Sequence, residues 1–250
     1  MCLTQALRKC DLSAFEQATR SQFLVRAGCG AVSKSVLSDW LAQDKLYAQS
    51  YISFIGGLLA KIRFPSAGNA LLPTRTVWRT VDILIAALQN VRRELHFFED
   101  VAREYGLSLD EGGDGQGGEA TNIRAAKPVT RAYQDLFAAV AGPSASLLEG
   151  LVLLWGTEHC YNQAWIFAEG HGPLSEDEKM DKDFTQDIDG GALRQKLIPN
   201  WTNDEFNEFV TDLEDLVNDA AANATEEEKT RCKEVWKQVL WLEKQFWPEM

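Results

Sequence analysis

The chain has 250 residues, 45% of them hydrophobic, and a formal net charge of −12 at pH 7. This length can bury one large core, so we expect a single domain spanning 1–250. The acidic balance repels phosphate backbones and anionic bilayers, which argues against nucleic acid and membrane partners. The five cysteines form no CxxC pair and no apolar run has signal-peptide or membrane-span length, so we expect a cytoplasmic protein without a disulfide framework.

Apolar residues recur at spacings of three and four along most of the chain, and no alternating β-branched run of useful length is present. The pattern predicts an all-α bundle of about seven helices. Gly28 and Gly30 should end the first helix, Ser33 suits the N-cap of the second, and Pro143 suits the first position of the fifth. The predicted helices are, in order, about 13–26, 33–62, 74–105, 129–141, 144–169, 203–220 and 225–247.

A glycine-rich acidic stretch separates the third and fourth predicted helices, at about 108–127. Such a segment has little to bury, which predicts a flexible surface loop. A phosphate-binding loop is the alternative, but no Lys-Ser/Thr pair follows the glycines and no strand precedes them.

Several common types of site have no motif in this sequence. His96, His159 and His171 belong to no HExxH or paired ExxH motif, and there is no GxSxG elbow, P-loop or dinucleotide fingerprint. We therefore expect no metal site and no cofactor.

Acidic residues inside apolar helices are the strongest candidates for chemistry. Asp44 lies one turn before Tyr47, Glu158 follows an apolar stretch and precedes Tyr161, and Glu243 lies within VLWLEKQFW. A solvent-facing acid is the alternative for Asp44 and for Glu243. Burying an unpaired carboxylate costs several kcal/mol and raises its pKa. Two or three such groups around aromatic rings would suit acid–base chemistry on a nitrogen heterocycle.

Two segments of the sequence contain Asp44 and Glu158, and each shows a characteristic order of residues around its acid. SQFLVRAGCGAVSKSVLSDWLAQDKLY contains an aromatic-bearing helix, a glycine turn, and a helix with Gln-Asp followed three residues later by tyrosine, and LLWGTEHCYNQAW has a tyrosine one turn after Thr157. Both resemble the TenA/thiaminase II family, which has a heme-oxygenase-like fold. There the aspartate, here Asp44, hydrogen-bonds an aminopyrimidine beside a tyrosine, here Tyr47. The position of Thr157 holds a nucleophilic cysteine in many members, and the tyrosine after it matches Tyr161.

The pattern Leu-Trp-x-x-Glu-x-x-Tyr is similar to a plant and fungal subclass in which a glutamate, here Glu158, replaces the cysteine. Cys160 lies two residues further, on another side of the helix, so we expect it to contribute only packing.

Three further segments extend the resemblance to about 14–247. VTRAYQDLFAAVA resembles a helix that supplies a pocket tyrosine, here Tyr133, and LIPNWTNDEFNEFV places Trp201 where the family has another tyrosine. VLWLEKQFW resembles a C-terminal signature in which a glutamate, here Glu243, is an acid/base and an aromatic residue, here Phe246, stacks near the ring.

The resemblance implies hydrolysis of amino or formylamino pyrimidines derived from thiamin, without a cofactor, by a homodimer or homotetramer. Glu158 would activate water, Glu243 and Asp44 would handle protons, and the aromatic residues would shape the pocket. We therefore expect the three acids to face one enclosed cavity. The alternatives are a non-catalytic pyrimidine-binding or regulatory protein, and a heme or di-iron protein, which the scarcity of histidine opposes.

Overall fold

The computed structural model describes residues 1–64, 74–110, 124–172 and 184–250. Throughout these ranges the regular structure is helical and no strand occurs, which confirms the predicted all-α class. A π-helical segment at Ala192–Leu197 leads directly into the α-helix at Ile198–Thr202, and short 3-10 turns lie at Phe184–Gln186 and Ala221–Asn223. The α-helices are α1 (Leu3–Cys10), α2 (Leu12–Thr19), α3 (Gln22–Gly28), α4 (Lys34–Lys61), α5 (Thr74–Tyr105), α6 (Pro128–Ala141), α7 (Leu147–Glu169), α8 (Ile198–Thr202), α9 (Asp204–Ala220) and α10 (Glu226–Phe246).

The predicted first helix is wrong as a single element, because the chain forms α2 and α3 separated at Arg20. Asp11 caps α2 by accepting from the backbone of Ala14, and Ser21 caps α3 by accepting from Leu24. A side-chain acceptor at position 21 satisfies a free N–H group and favours a new helix start there.

The predicted start of the fifth helix is also wrong. Ser146 caps α7: its hydroxyl accepts from Glu149 N at 3.2 Å, and the Glu149 carboxylate accepts from Ser146 N at 2.9 Å. This reciprocal capping box fixes the helix start more strongly than a proline three residues earlier. Pro143 consequently lies in the turn between α6 and α7.

The short helix α1 was not predicted, although it closes one side of the bundle. Leu3 and Leu7 lie one turn apart and are both buried. Arg8 makes two hydrogen bonds to the carboxylate of Glu214 on α9, at 2.7 and 2.8 Å. The helix therefore combines a small apolar face with one ion pair to the bundle.

Helix α7 occupies the centre of the fold and contacts α2, α3, α8, α9 and α10, with further contacts to α4 and α6. Its residues from Leu151 to Trp155 are fully buried on every side of the helix. A helix that is apolar all round must be surrounded by other elements. This placement explains why a carboxyl group on α7 has little access to bulk solvent.

The two described ends of the predicted glycine-rich loop are attached to α4. The amide of Gln43 donates to Ala125 O at 3.1 Å and accepts from Lys127 N at 2.8 Å and from Thr130 Oγ1 at 2.7 Å. At the other end, Ser108 N donates to the hydroxyl of Ser38 at 3.1 Å. The rest of that predicted loop, 111–123, lies outside the described residues.

Candidate active site

Helices α4, α5, α7, α8 and α9 surround a cavity of about 280 Å³. Its walls combine aromatic rings with acidic and amide side chains, which is the usual composition of a site for a small ring compound. The described lining residues are Asp44, Tyr47, Ala48, Tyr51, Ala87, Asn90, Val91, Arg93, Glu94, Phe97, Thr157, Glu158, Tyr161, Asn200, Trp201, Asn203, Glu205, Phe206 and Phe209.

Two of the predicted acids line this cavity, and each accepts a hydrogen bond from a tyrosine. Asp44 on α4 accepts from the phenol of Tyr161 at 2.8 Å, and Glu158 on α7 accepts from that of Tyr51 at 2.5 Å. The tyrosines fix both carboxyl groups while leaving further oxygen lone pairs available to a ligand. The fold therefore brings predicted site residues from two separate helices, α4 and α7, to the same cavity.

Another acid in the cavity, Glu94 on α5, was not predicted. The indole Nε1 of Trp201 donates to its carboxylate at 2.6 Å. Glu94 follows two arginines, so its local sequence resembled a solvent-facing segment. A usable signal was its position three residues after buried Val91 and beside buried Leu95, within the apolar stripe of α5.

Tyr51 was also missed. It lies one turn after Tyr47 and two turns after Asp44, so all three positions share one side of α4. The spacing was therefore sufficient to include Tyr51 among the candidates.

Three of the four acids that line the cavity, Asp44, Glu94 and Glu158, belong to no ion pair within the ranges that the structure describes. The fourth, Glu205, pairs with Arg93. Burial raises the pKa of Glu158 to about 8 and that of Glu94 to about 7, and it raises the pKa of Asp44 well above its usual value. The nearby charge of Glu94 adds to the upward pKa shift of both other acids. Such groups can exchange protons near neutral pH.

Glu243 does not line the cavity, so the structure does not place all three predicted acids on one surface. Its carboxylate, 4% exposed, accepts from the phenol of Tyr133 at 2.5 Å, and burial raises its pKa to about 8. Tyr47 separates this pair from the cavity, with its ring centre 5.0 Å from that of Tyr133 and 5.8 Å from that of Phe246. Tyr133, Glu243 and Phe246 therefore form a layer behind Tyr47.

The residues near the predicted nucleophile position have different surroundings. Thr157 lines the cavity, but its hydroxyl donates back to the helix carbonyls of Leu153 and Leu154. Cys160 is fully buried, and burial, followed by the charge of Glu243, raises the pKa of its thiol well above the usual value. A thiol with a raised pKa is a poor nucleophile.

Trp201 lines the cavity and is anchored in a cluster of aromatic rings. Its ring stacks on Trp165 with centres 4.6 Å apart and meets the ring of Tyr161 edge-on at 5.1 Å. The adjacent chain is fixed by Asn162, whose amide donates to Asn207 at 2.8 Å. These contacts hold the indole N–H towards Glu94.

The described part of the chain lacks the arrangements that metal binding and bilayer crossing require. Across 1–64, 74–110, 124–172 and 184–250, no group of three or more His, Cys, Asp and Glu side chains is arranged to hold a metal ion. No helix in these same ranges combines the length and the apolarity that crossing a bilayer requires.

The fold and the cavity together define a class of protein, an all-helical bundle with an acidic, aromatic-walled pocket between its long helices. The chain belongs to the TENA/THI-4/PQQC family, whose model matches residues 16–250. It is similar to a TenA homologue from Pyrococcus furiosus, with 23% identity, a TM-score of 0.74 and 98% of each chain covered. A putative TenA-like thiaminase from Sulfolobus solfataricus has a TM-score of 0.64 at 11% identity, covering 98% of this chain and 93% of the other.

Two curated relatives are named differently. A protein of Fusarium pseudograminearum named a probable transcription factor is 30% identical over 93% of this chain, and the chain spans 49% of that relative's length. A protein of Glycine max named a probable bifunctional TENA-E protein is 19% identical over 98% of this chain and 91% of its own length.

Proposed function

We propose that this protein hydrolyses an amino or formylamino group on a pyrimidine derived from thiamin. The main support is the cavity, in which three acids without a basic partner in the described ranges lie among aromatic rings. Flat rings stack on aromatic walls, and carboxyl groups hydrogen-bond ring and exocyclic nitrogens. Membership in a family with a thiaminase-like structural neighbour agrees with a thiamin-related substrate.

In the proposed reaction, Glu158 acts as the base that activates water. Tyr51 holds this carboxylate at 2.5 Å, which leaves its second oxygen for the water molecule. For an aminomethyl substrate, Glu158 takes a proton from water, the water oxygen forms a new C–O bond, and the C–N bond breaks. The NH2 nitrogen gains one proton in total and leaves as ammonia, which gives the hydroxymethyl compound. For a formylamino substrate the amide C–N bond breaks instead, giving formate and the aminomethyl compound.

Asp44 and Glu243 have separate parts in this proposal. Asp44 faces the cavity and binds a ring or exocyclic nitrogen directly, while Tyr161 orients its carboxyl group. Glu243 supplies a proton from behind Tyr47, and the hydrogen bond from the phenol of Tyr133 holds its carboxyl group in place. The action of Glu243 therefore depends on the hydroxyl or movement of Tyr47.

We also propose that the chain belongs to the glutamate subclass. No thiol lies among the described lining residues, and Thr157, at the family's cysteine position, uses its hydroxyl to bond the helix backbone. The name of the Glycine max relative is compatible with this assignment.

A non-catalytic pyrimidine-binding or regulatory protein is the second candidate. It is favoured by the hydroxyl of Thr157, which is hydrogen-bonded to the helix backbone, and by the relative named a probable transcription factor. Such a protein would keep the aromatic cavity and bind the pyrimidine without turnover.

Incubation with aminomethylpyrimidine and with its formylamino derivative tests the proposed function. Ammonia and formate are measured with coupled dehydrogenases, and the pyrimidine products by chromatography with mass detection. The proposed hydrolysis predicts release of ammonia or formate in equal amount to the pyrimidine product, and this release should be at least about a hundredfold slower in Glu158→Gln. Binding of hydroxymethylpyrimidine without either product would select the non-catalytic candidate. Light scattering on the same sample tests the expected homodimer or homotetramer.

A further inference from the structure

The Glu94–Trp201 pair adds a carboxylate to a site for which the family resemblance indicated only Asp44, Glu158 and Glu243 as acids. We infer that Glu94 determines specificity, selecting ligands that carry a positive charge beside a flat ring over neutral ligands of the same shape. This inference rests on the proposed function, because it concerns which pyrimidines the same cavity accepts.

The first support is the fixed position of the Glu94 carboxylate. Trp201 donates to it at 2.6 Å, and Trp201 is itself 2% exposed and stacked on Trp165. Because Trp201 also meets the ring of Tyr161, which donates to Asp44, a single aromatic unit holds both Glu94 and Asp44 in place. A pre-positioned carboxylate binds a cationic group without a large ordering cost.

The second support is the set of charged groups around Glu94. Asp44 on α4 and Glu158 on α7 share its cavity, and both are acids. Arg93 is the only basic side chain among the described lining residues, and its guanidinium pairs with Glu205 on α9 at 2.6 Å, on an exposed surface. The remaining titratable neighbours on the walls are tyrosines, which are neutral at physiological pH.

Three acids this close cannot all ionise at low cost in an empty cavity. Accordingly, burial raises the pKa of Glu94 to about 7, and the charge of Glu94 further raises the pKa of Asp44 and of Glu158. A bound cation favours the ionised carboxylates, so it should displace protons from this set. A neutral ligand of the same shape gives no such favourable interaction.

The signs of two measurable effects follow from this coupling. Binding of a cation near neutral pH should release protons to the buffer, and its affinity should increase as pH rises through about 7, while the ligand amine stays protonated. Binding of the neutral ligand should release no proton and should depend little on pH.

The test compares aminomethylpyrimidine, which is cationic near neutral pH, with hydroxymethylpyrimidine, which is neutral. Trp201 lines the cavity, so stopped-flow tryptophan fluorescence can report binding before turnover occurs. The variants are Glu94→Gln, which removes the charge, Glu94→Asp, which retains it, and Glu99→Gln, a control at an exposed acid on the same helix.

A hydrogen bond to a charged group is worth about a ten- to hundredfold change in affinity. We expect the wild type to bind the cation at least about tenfold more tightly than the neutral ligand. Glu94→Gln should reduce this preference about tenfold and change the Kd of the neutral ligand by less than about threefold. Glu94→Asp should retain part of the preference, and Glu99→Gln all of it.

Calorimetry in two buffers of different protonation enthalpy measures how many protons are released when the ligand binds. The inference is supported if cation binding releases protons in the wild type and fewer in Glu94→Gln. It is overturned if the wild type has no charge preference, if Glu94→Gln keeps the full preference, or if both ligands lose affinity equally, as a purely structural role would produce. Hydrolysis is judged separately: charge preference without ammonia refutes only the proposed reaction, and ammonia without charge preference refutes only the role of Glu94.

Discussion

Replacement of Glu158 by glutamine tests the proposed base directly. The amide preserves the side chain's shape, and its oxygen can still accept the hydrogen bond that Tyr51 donates at 2.5 Å. The variant therefore loses the basic carboxylate, while the side chain at position 158 keeps its hydrogen bond from Tyr51. Its matched control is Cys160→Ser on the same helix, because Cys160 is fully buried and lies about 200° around the helix from Glu158.

General-base catalysis typically contributes about 10²–10⁴-fold to a rate. We therefore expect Glu158→Gln to lower kcat at least about a hundredfold, which corresponds to about 3 kcal/mol or more of transition-state stabilisation. The Kd of hydroxymethylpyrimidine should change by less than about threefold, since the wall keeps its shape. Cys160→Ser should retain wild-type kcat within about twofold, because its thiol does not line the cavity.

The pH profile gives a second quantitative check. With a pKa of about 8, only about one tenth of Glu158 is ionised at pH 7, and about half is ionised at pH 8. The wild-type kcat/KM for aminomethylpyrimidine should therefore rise about fivefold over that interval, since the base works in its deprotonated form. The residual activity of Glu158→Gln should lack this rise.

Ammonia release by wild type and both variants, measured from pH 6 to 9, provides the assay, and circular dichroism confirms that each variant is folded. If Cys160→Ser or a thiol-blocking reagent abolished turnover while Glu158→Gln remained active, the base assignment would be refuted. A mechanism through a cysteine would then have to replace it.

Three other substitutions test the packing around the site. Gln43→Ala should lower the free energy of unfolding by about 2–4 kcal/mol in urea denaturation, because a buried side chain loses its three hydrogen bonds. Exposed Gln49→Ala should change it by less than about 0.5 kcal/mol, and equal effects would contradict this prediction. Glu243 holds its proton to about pH 8 when folded but to only about pH 4.5 when unfolded, so its contribution to stability should decrease as pH rises between these values. Glu243→Gln should lack this contribution, so the stability difference between the variant and the wild type should change with pH in that direction. Burial lowers the pKa of His159 to about 4, so the contribution of this residue to stability should decrease by up to about 3 kcal/mol as pH falls from 6.5 to 4. This contribution has the opposite sign to that of Glu243 and is measured as the difference between the wild type and His159→Phe, which preserves the stacking on Trp155. An unchanged pH dependence of stability in either variant would contradict the corresponding burial.

The short-range spacing of the chain was sufficient to predict part of the candidate site. Asp44 and Tyr47 are one turn apart on a helix whose bounds were predicted closely, and Glu158 and Tyr161 have the same relation on α7. Such pairs share a side of their helix whatever the helix packs against. Glu94 escaped prediction because it follows two arginines, and only the packing of α5 against α4 and α9 shows that this side faces a cavity.

The sequence by itself determined the helical class, most of the long helices and the residue pairs within each helix, because all of these depend on periodicity over a few turns. The tertiary structure alone decided how deeply each side chain lies. Glu243 and Glu158 have similar apolar neighbours in sequence, but Glu158 reaches the cavity and Glu243 lies behind Tyr47. Periodicity gives the direction of a side chain around its own helix. The distance from that helix to a shared cavity depends on how separate helices pack, which no local pattern encodes.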